Sequence, residues 1–281
     1  MTNTIDPKLL KFVKNKSSAL VKTPVDMLQF GCLQYAIDNE YVDEYSNFGN
    51  IKYISIDEAN NSKKDWLKDF SYFINDMGFR GVYPNPEDKK LLGFFGCSIA
   101  FGQGLPDEEI YSNIVSSHFN KQSLNLGIPG SNIHRTALVF SAATHVWDME
   151  TVVINLPPYT RMHYVDRYNH LHSILLAYET ETSEIETVRH DILKDFSDQY
   201  LLAQAVDSIK WIIDIARSKN INLILASWDP DTVHLVNTAF DTKILKFDII
   251  DGARDSHPGE LSHRLFANTI INSLTNGTYT C

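Results

Sequence analysis

Five short apolar runs punctuate the chain after Lys90: LLGFFG from Leu91, QSLNLG from Gln122, TVVINLP from Thr151, INLILASW from Ile221 and ILKFDII from Ile244. They are apolar throughout instead of alternating, the pattern of strands covered on both faces of a parallel sheet. Helical spacing fills the gaps. From Gln199 to Lys219, the residues Leu201, Leu202, Ala205, Val206, Ile209, Ile212, Ile213 and Ala216 recur on one face, with Ser197 or Asp198 available as a cap. Pro106 and Asp107 introduce a second helix carrying Ile110, Tyr111, Ile114, Val115 and Phe119, and Ser131 or Asn132 caps a third that runs through Val146. A terminal helix presents Leu261, Leu265, Phe266 and Ile270.

Strands alternating with helices predict an α/β fold, a three-layer α/β/α sandwich with a mainly parallel sheet and right-handed crossovers. Residues 1–90 are irregular and polar, and read as an N-terminal extension packing on the core. A helix is expected around SKKDWLKDFSYFINDM, before Pro84 and Pro86 close the segment in a turn-rich stretch. Residues 91–281 form the main domain. Its connection at about 157–198 is long, rich in Tyr, His and acidic residues, and reads as an insertion forming a substrate-facing wall.

Composition narrows the function. The 281 residues are 43% hydrophobic and 21% charged, ordinary for a globular chain, and 35 acidic against 25 basic residues give a net charge of -10. That balance argues against nucleic acid or an anionic membrane as a partner. No apolar stretch reaches the ~18 residues of a membrane span, and the start lacks the apolar region of a secretory signal, so a cytoplasmic location is expected. Cys32, Cys97 and Cys281 are odd in number and widely spaced, which gives neither a disulfide framework nor a zinc pattern.

The chemistry-bearing residues lie at the ends of the runs, where ligands bind in sheets of this kind. Ser98 follows the first strand in GCSIAFGQG, whose glycines let the backbone turn and leave the hydroxyl and amide exposed. No Lys follows the glycines, and Asp107 stands where a dinucleotide loop needs its third glycine, so neither phosphate-binding pattern is present. Gly127 follows the second strand, where its amide can approach a ligand. Asn155 ends the third, a fixed place for a side-chain amide donor. After the last run comes GARDSHPGELSH, with Asp255 and His257; a histidine serves as a base near neutral pH, and a carboxylate fixes its tautomer.

In that order, over roughly Leu91 to Cys281, the chain resembles the SGNH hydrolases, also called GDSL-like esterases and lipases. Its GCS stands where that family commonly has GDS, and DSHPG resembles the family's terminal His-Pro block. The resemblance implies a serine esterase acting on carboxylic esters, with acetyl or short acyl groups on a carbohydrate or other small molecule as the expected substrate, and with no cofactor and no metal. Ser98 would be the nucleophile, His257 the base, and the Ser98 amide, the Gly127 amide and the Asn155 side chain the oxyanion hole. The family's orienting Asp stands three residues before the His; Arg254 stands there in this chain, and the acid is at Asp255. Asp255, Asp251 or a backbone carbonyl is left to fill that role. A thiol at Cys97 cannot supply the charge of the family's carboxylate, and reads as a buried structural group. Arg161 reads as a holder of a substrate carboxylate or carbonyl, or as a surface ion pair. His163, His170 and His172 lack the spacing of a simple metal site. The alternative function is a non-catalytic binding module that retains the cleft without turnover.

Overall fold

A computed structural model of the chain describes residues 79–81, 84, 91–165, 171–175, 198–240, 242–252 and 257–277. The helix expected around residues 62–77 lies outside them. Among the described residues the strands are β1 (Leu91–Gly96), β2 (Ser123–Gly127), β3 (Met149–Leu156), β4 (Arg161–Val165), β5 (Leu171–Leu175), β6 (Asn222–Ser227) and β7 (Ile244–Lys246). Among the same residues the helices are α1 (Ser98–Phe101), α2 (Tyr111–His118), α3 (Ile133–Ala143), α4 (Asp198–Ser218), α5 (Pro230–Ala239) and α6 (Glu260–Thr275).

All five predicted runs pair into one parallel sheet of order β2-β1-β3-β6-β7. Both faces are buried, which explains the unbroken apolar runs. Leu91, Phe95, Val152, Ile154, Leu223 and Leu225 meet α3, α4 and α5 on one face. Leu92, Phe94, Val153, Ile224 and Ala226 meet α2 and α6 on the other. The molecule is therefore a three-layer α/β/α sandwich with a mainly parallel sheet. Each buried leucine or isoleucine in these layers contributes about 1.5–3 kcal/mol relative to exposure.

Helix ends follow local chemistry. Asn132 caps α3, its side chain accepting from the Arg135 amide at 2.8 Å. That helix stops at Ala143, short of the expected Val146, because the His145 and Val146 amides take i-3 carbonyls in a tightening last turn. The helix expected to start at Pro106 instead begins with a 3-10 turn, Asp107–Glu109, and α2 starts only at Tyr111. Pro230 at the first turn and Asp229, which accepts from the Thr232 amide at 2.9 Å, start α5. On α6, Phe266, Ala267 and Ile270 are buried, whereas Leu261 and Leu265 face outward. Within the long connection β4 and β5 form an antiparallel hairpin. Before β1, Phe79 is buried in the core and the Pro84 carbonyl accepts from Trp147 Nε1 at 3.2 Å.

Candidate functional site

Gly96, the last residue of β1, is paired with Gly127 on β2 and with Asn155 on β3. Neighbouring strands run about 4.8 Å apart, so these ends form one row on the carboxyl edge of the sheet, with Ser98 two residues beyond its centre. The row is packed backbone against backbone. A Cβ on Gly96 would lie 2.3 Å from the Asn155 carbonyl oxygen, and one on Gly127 would lie 2.3 Å from the Phe101 nitrogen and 2.7 Å from the Ala100 carbonyl carbon. Gly127 is thus needed because α1 lies directly on it.

Ser98 opens α1, and its carbonyl accepts from the amides of both Gly102 and Gln103 at 3.0 Å. The glycine turn comes after this short helix, where Gly102 has φ +77° and Gly104 has φ +86°. The serine was expected in an exposed turn. Instead its helix folds back over β2, leaving the residue 7% exposed. Its Oγ lies 3.9 Å from Cys97 Sγ, and Cys97 is buried on the α2 and α6 face as a small apolar group.

Asn125 was not singled out by the sequence reading, although a lone amide inside an apolar strand is a visible signal. Its Oδ1 accepts from the Gly127 amide at 3.0 Å, while its Nδ2 donates to the Ala100 carbonyl at 2.9 Å and to Ser112 Oγ at 3.3 Å. One side chain therefore joins α1, α2 and the end of β2. Asn155 is the opposite case. It is fully buried, and among the described residues neither Nδ2 nor Oδ1 has a hydrogen-bond partner. Leaving such groups unpaired costs about 1–3 kcal/mol each. Strand alternation puts this side chain on the same face as Val153, towards α2 and α6.

His257 stands on the segment that leads into α6, the helix on that same face, and is half-buried. A bridge between Gly252 and Pro258, and the Gly259 amide donating to the Asp251 carbonyl at 3.1 Å, hold this segment. Asp255 lies outside the described residues. Asp251, the other carboxylate considered for orienting the histidine, caps α6: its oxygens accept from the amides of Leu261 at 2.9 Å and Ser262 at 2.8 Å, and from the Ser262 hydroxyl. Partial burial alone would raise its pKa, but these hydrogen bonds hold the carboxyl below its ordinary value. His263, one turn into α6, is buried, and its Nδ1 accepts from the Tyr111 amide at 3.2 Å. Burial, with the nearby Arg80 charge, drives its pKa down to about 3, so it is a neutral structural histidine.

Arg161 and His163, both on β4, grip the loop beyond Gly127. Arg161 Nη1 donates to the Ser131 carbonyl at 3.2 Å, and His163 Nε2 donates to the Gly130 carbonyl at 2.8 Å. Burial lowers the His163 pKa to about 4; the Gly130 bond opposes the shift, while Arg135, Arg161 and His134 reinforce it. Among the described residues no three His, Cys, Asp or Glu side chains converge as a metal-binding group, and no helix is long and apolar enough to cross a membrane. Arg80, before β1, also escaped the sequence reading; its side chain makes polar contacts with Phe101, Gly102, Leu105 and Asp107, in the segment that follows Ser98.

No protein-family model matches the sequence, and no curated protein matches it significantly. Solved structures do. An acetyl xylan esterase (Est2A) from the rumen bacterium Butyrivibrio proteoclasticus is 12% identical with a TM-score of 0.45, the match covering 71% of this chain and 67% of that one. TesA is 13% identical with a TM-score of 0.44, covering 66% of this chain and 99% of its own. The psychrotrophic esterase EstA from Pseudoalteromonas sp. is 12% identical with a TM-score of 0.43, covering 67% and 98%. These are similarities across low identity, and the chain is similar to each only at that level.

Proposed function

We propose that this chain is a serine ester hydrolase of the SGNH kind, acting on acetyl or other short acyl esters of a carbohydrate or related small alcohol. The observation that carries this reading is the row at the carboxyl edge of the sheet: Gly127, Gly96 and Asn155 in register, with Ser98 just beyond. The buried, unpartnered Asn155 amide supports it, because a group left in that state is explained by a ligand atom it is waiting to meet. The low exposure of Ser98 supports a short acyl group.

In the proposed reaction Ser98 Oγ adds to the ester carbonyl carbon while His257 accepts the hydroxyl proton. The negative oxygen of the tetrahedral intermediate receives hydrogen bonds from the Ser98 amide, the Gly127 amide and Asn155 Nδ2. Gly127 acts as a shared donor, since Asn125 Oδ1 already holds its hydrogen. Collapse expels the alcohol, which takes the proton from His257. Water, giving its proton to His257, then attacks the acyl-serine; collapse returns that proton from His257 to Ser98 Oγ and releases the acid. Asp255 is the proposed orienting acid, since Asp251 is engaged at α6. Arg161 has donors beyond its Ser131 bond with which to meet the alcohol portion of the substrate.

The non-catalytic binding module is the second reading, and the prior engagement of the Gly127 amide favours it. Hydrolysis of a chromogenic acetate ester separates the two. Ser98→Ala and His257→Ala are each expected to lose ~100-fold or more of kcat/KM with folding retained. Equal rates in all three proteins would remove both residues from the mechanism. Binding of an acetylated sugar without turnover by the wild type would establish the module instead.

A further inference from the structure

Arg80 has a side chain 1% exposed, a costly place for a charge unless it is fully paired. It is. Its Nε and Nη2 both meet Asp107 Oδ1, at 2.7 and 2.6 Å. Its Nη1 donates to the carbonyls of Phe101 at 3.1 Å and Gly102 at 2.7 Å, and its Nη2 also donates to the Leu105 carbonyl at 2.7 Å. Four of these contacts are hydrogen bonds from the guanidinium N–H donors, and the Nη2–Asp107 contact is an ion pair. The guanidinium also lies over the Phe101 ring, 5.4 Å from its centre.

All three carbonyls belong to the stretch that begins with Ser98. Phe101 ends α1, Gly102 is its left-handed cap, and Leu105 closes the glycine turn. The Gly102 amide in turn donates to the Ser98 carbonyl, so one residue separates the clamp from the serine. A four-residue helix has too few internal bonds to hold itself. Something outside must fix it, and Arg80 satisfies the carbonyls at its end with a planar, charged fork.

We infer that Arg80, contributed by the segment before the main domain, is a positioning residue that fixes the Ser98 helix and its glycine turn in the geometry needed for nucleophilic attack. The inference rests on the hydrolase reading above for its catalytic consequence, and on the clamp alone for its structural one. A lysine cannot replace it: three donors at one point do not span three carbonyls and a carboxylate.

The test uses the full chain with Arg80→Lys, the milder Asp107→Asn, and Ile212→Ala, on α4, as a control that destabilises the core without touching the clamp. Three readouts are taken: amide hydrogen exchange, kcat per serine labelled by a fluorophosphonate, and Tm. In Arg80→Lys the Gly102 and Gln103 amides are expected to exchange about tenfold faster or more, with other protected amides less affected. The value of kcat per labelled serine is expected to fall about tenfold or more with KM little changed, and Asp107→Asn to shift both in the same direction. Ile212→Ala is expected to lower Tm while keeping kcat per labelled serine. Should Arg80→Lys lose only Tm, with exchange at Gly102 and Gln103 and kcat per labelled serine both at wild-type values, the inference is overturned. Should Ser98→Ala hydrolyse as fast as wild type, the hydrolase reading falls by itself, and the exchange data still decide whether Arg80 holds this segment.

Discussion

Adding one carbon at Gly127 tests the site where its backbone is tightest. In Gly127→Ala the new Cβ would sit 2.3 Å from the Phe101 nitrogen, 2.7 Å from the Ala100 carbonyl carbon and 2.9 Å from Phe101 Cα. These are main-chain atoms of α1, so no rotamer change relieves them. Ordinary contact begins near 3.4 Å, and 3.4 - 2.3 = 1.1 Å is the separation that α1 and the end of β2 must gain between them. Ser98 rides on that helix. A displacement of about 1 Å at a reacting group costs on the order of 100-fold in rate. Overpacking itself costs about 1–3 kcal/mol, and each kcal/mol lowers Tm by about 2–4 °C in a chain of this size class. Gly93→Ala is the matched control: its Cβ would press on Met149 Sδ at 2.7 Å and Phe95 Cε2 at 2.9 Å, which are side-chain atoms on the opposite sheet face. It is expected to lose stability and keep its rate. The assay is acetate-ester hydrolysis with active serines counted by a fluorophosphonate, alongside thermal unfolding. A Gly127→Ala protein with wild-type kcat per labelled serine and wild-type Tm would refute the reasoning.

Two other substitutions probe stability, the first of them alongside activity. Asn155→Leu removes two unpartnered buried polar atoms, so Tm is expected to hold or rise, while kcat falls about 100- to 1,000-fold if its amide serves the oxyanion; parallel thermal unfolding and steady-state kinetics check both halves. His163 has its pKa lowered to about 4, so as pH falls the unfolded chain takes up a proton before the folded one does. The stability tied to this neutral imidazole is full above its unfolded pKa of about 6.5 and is lost progressively from there down to about 4. In His163→Gln, which keeps a donor for the Gly130 carbonyl, denaturant titrations across that window should show a shallower pH dependence than wild type; an unchanged slope would count against this role.

The sheet was legible because burial on both faces leaves unbroken apolar runs, and each predicted run is a strand, although β7 ends at Lys246 where ILKFDII read as longer. The helix α4 was legible from its stripe, except that Leu202 faces outward. What escaped was set by distant partners. Arg80 bonds mostly to main-chain carbonyls 21 to 25 residues away, which no side-chain pattern reveals. Asn125 and Gly127 take their meaning from α1 folding onto β2, and a four-residue helix is too short to show periodicity. The α5 helix carries a readable Asp-Pro start, but it follows an apolar strand so closely that its own stripe was overlooked. In the site, the strand-end positions of Ser98, Gly127 and Asn155 were legible from the runs alone. The engagement of Asp251 by α6 was not, because a carboxylate ten residues before Leu261 reads equally well as a free acid.

Because β1 lies between β2 and β3, the row at the sheet edge joins Gly96 to a residue 155 - 96 = 59 positions later, and His257 follows only 257 - 155 = 102 positions after that. Parallel pairings of such long separation form late, after the entropy of closing large loops has been met. On the hydrolase reading proposed above, the nascent chain carries Ser98 long before its proposed base His257 is made, and recovery of turnover in a refolding experiment is then expected to trail the recovery of helical signal.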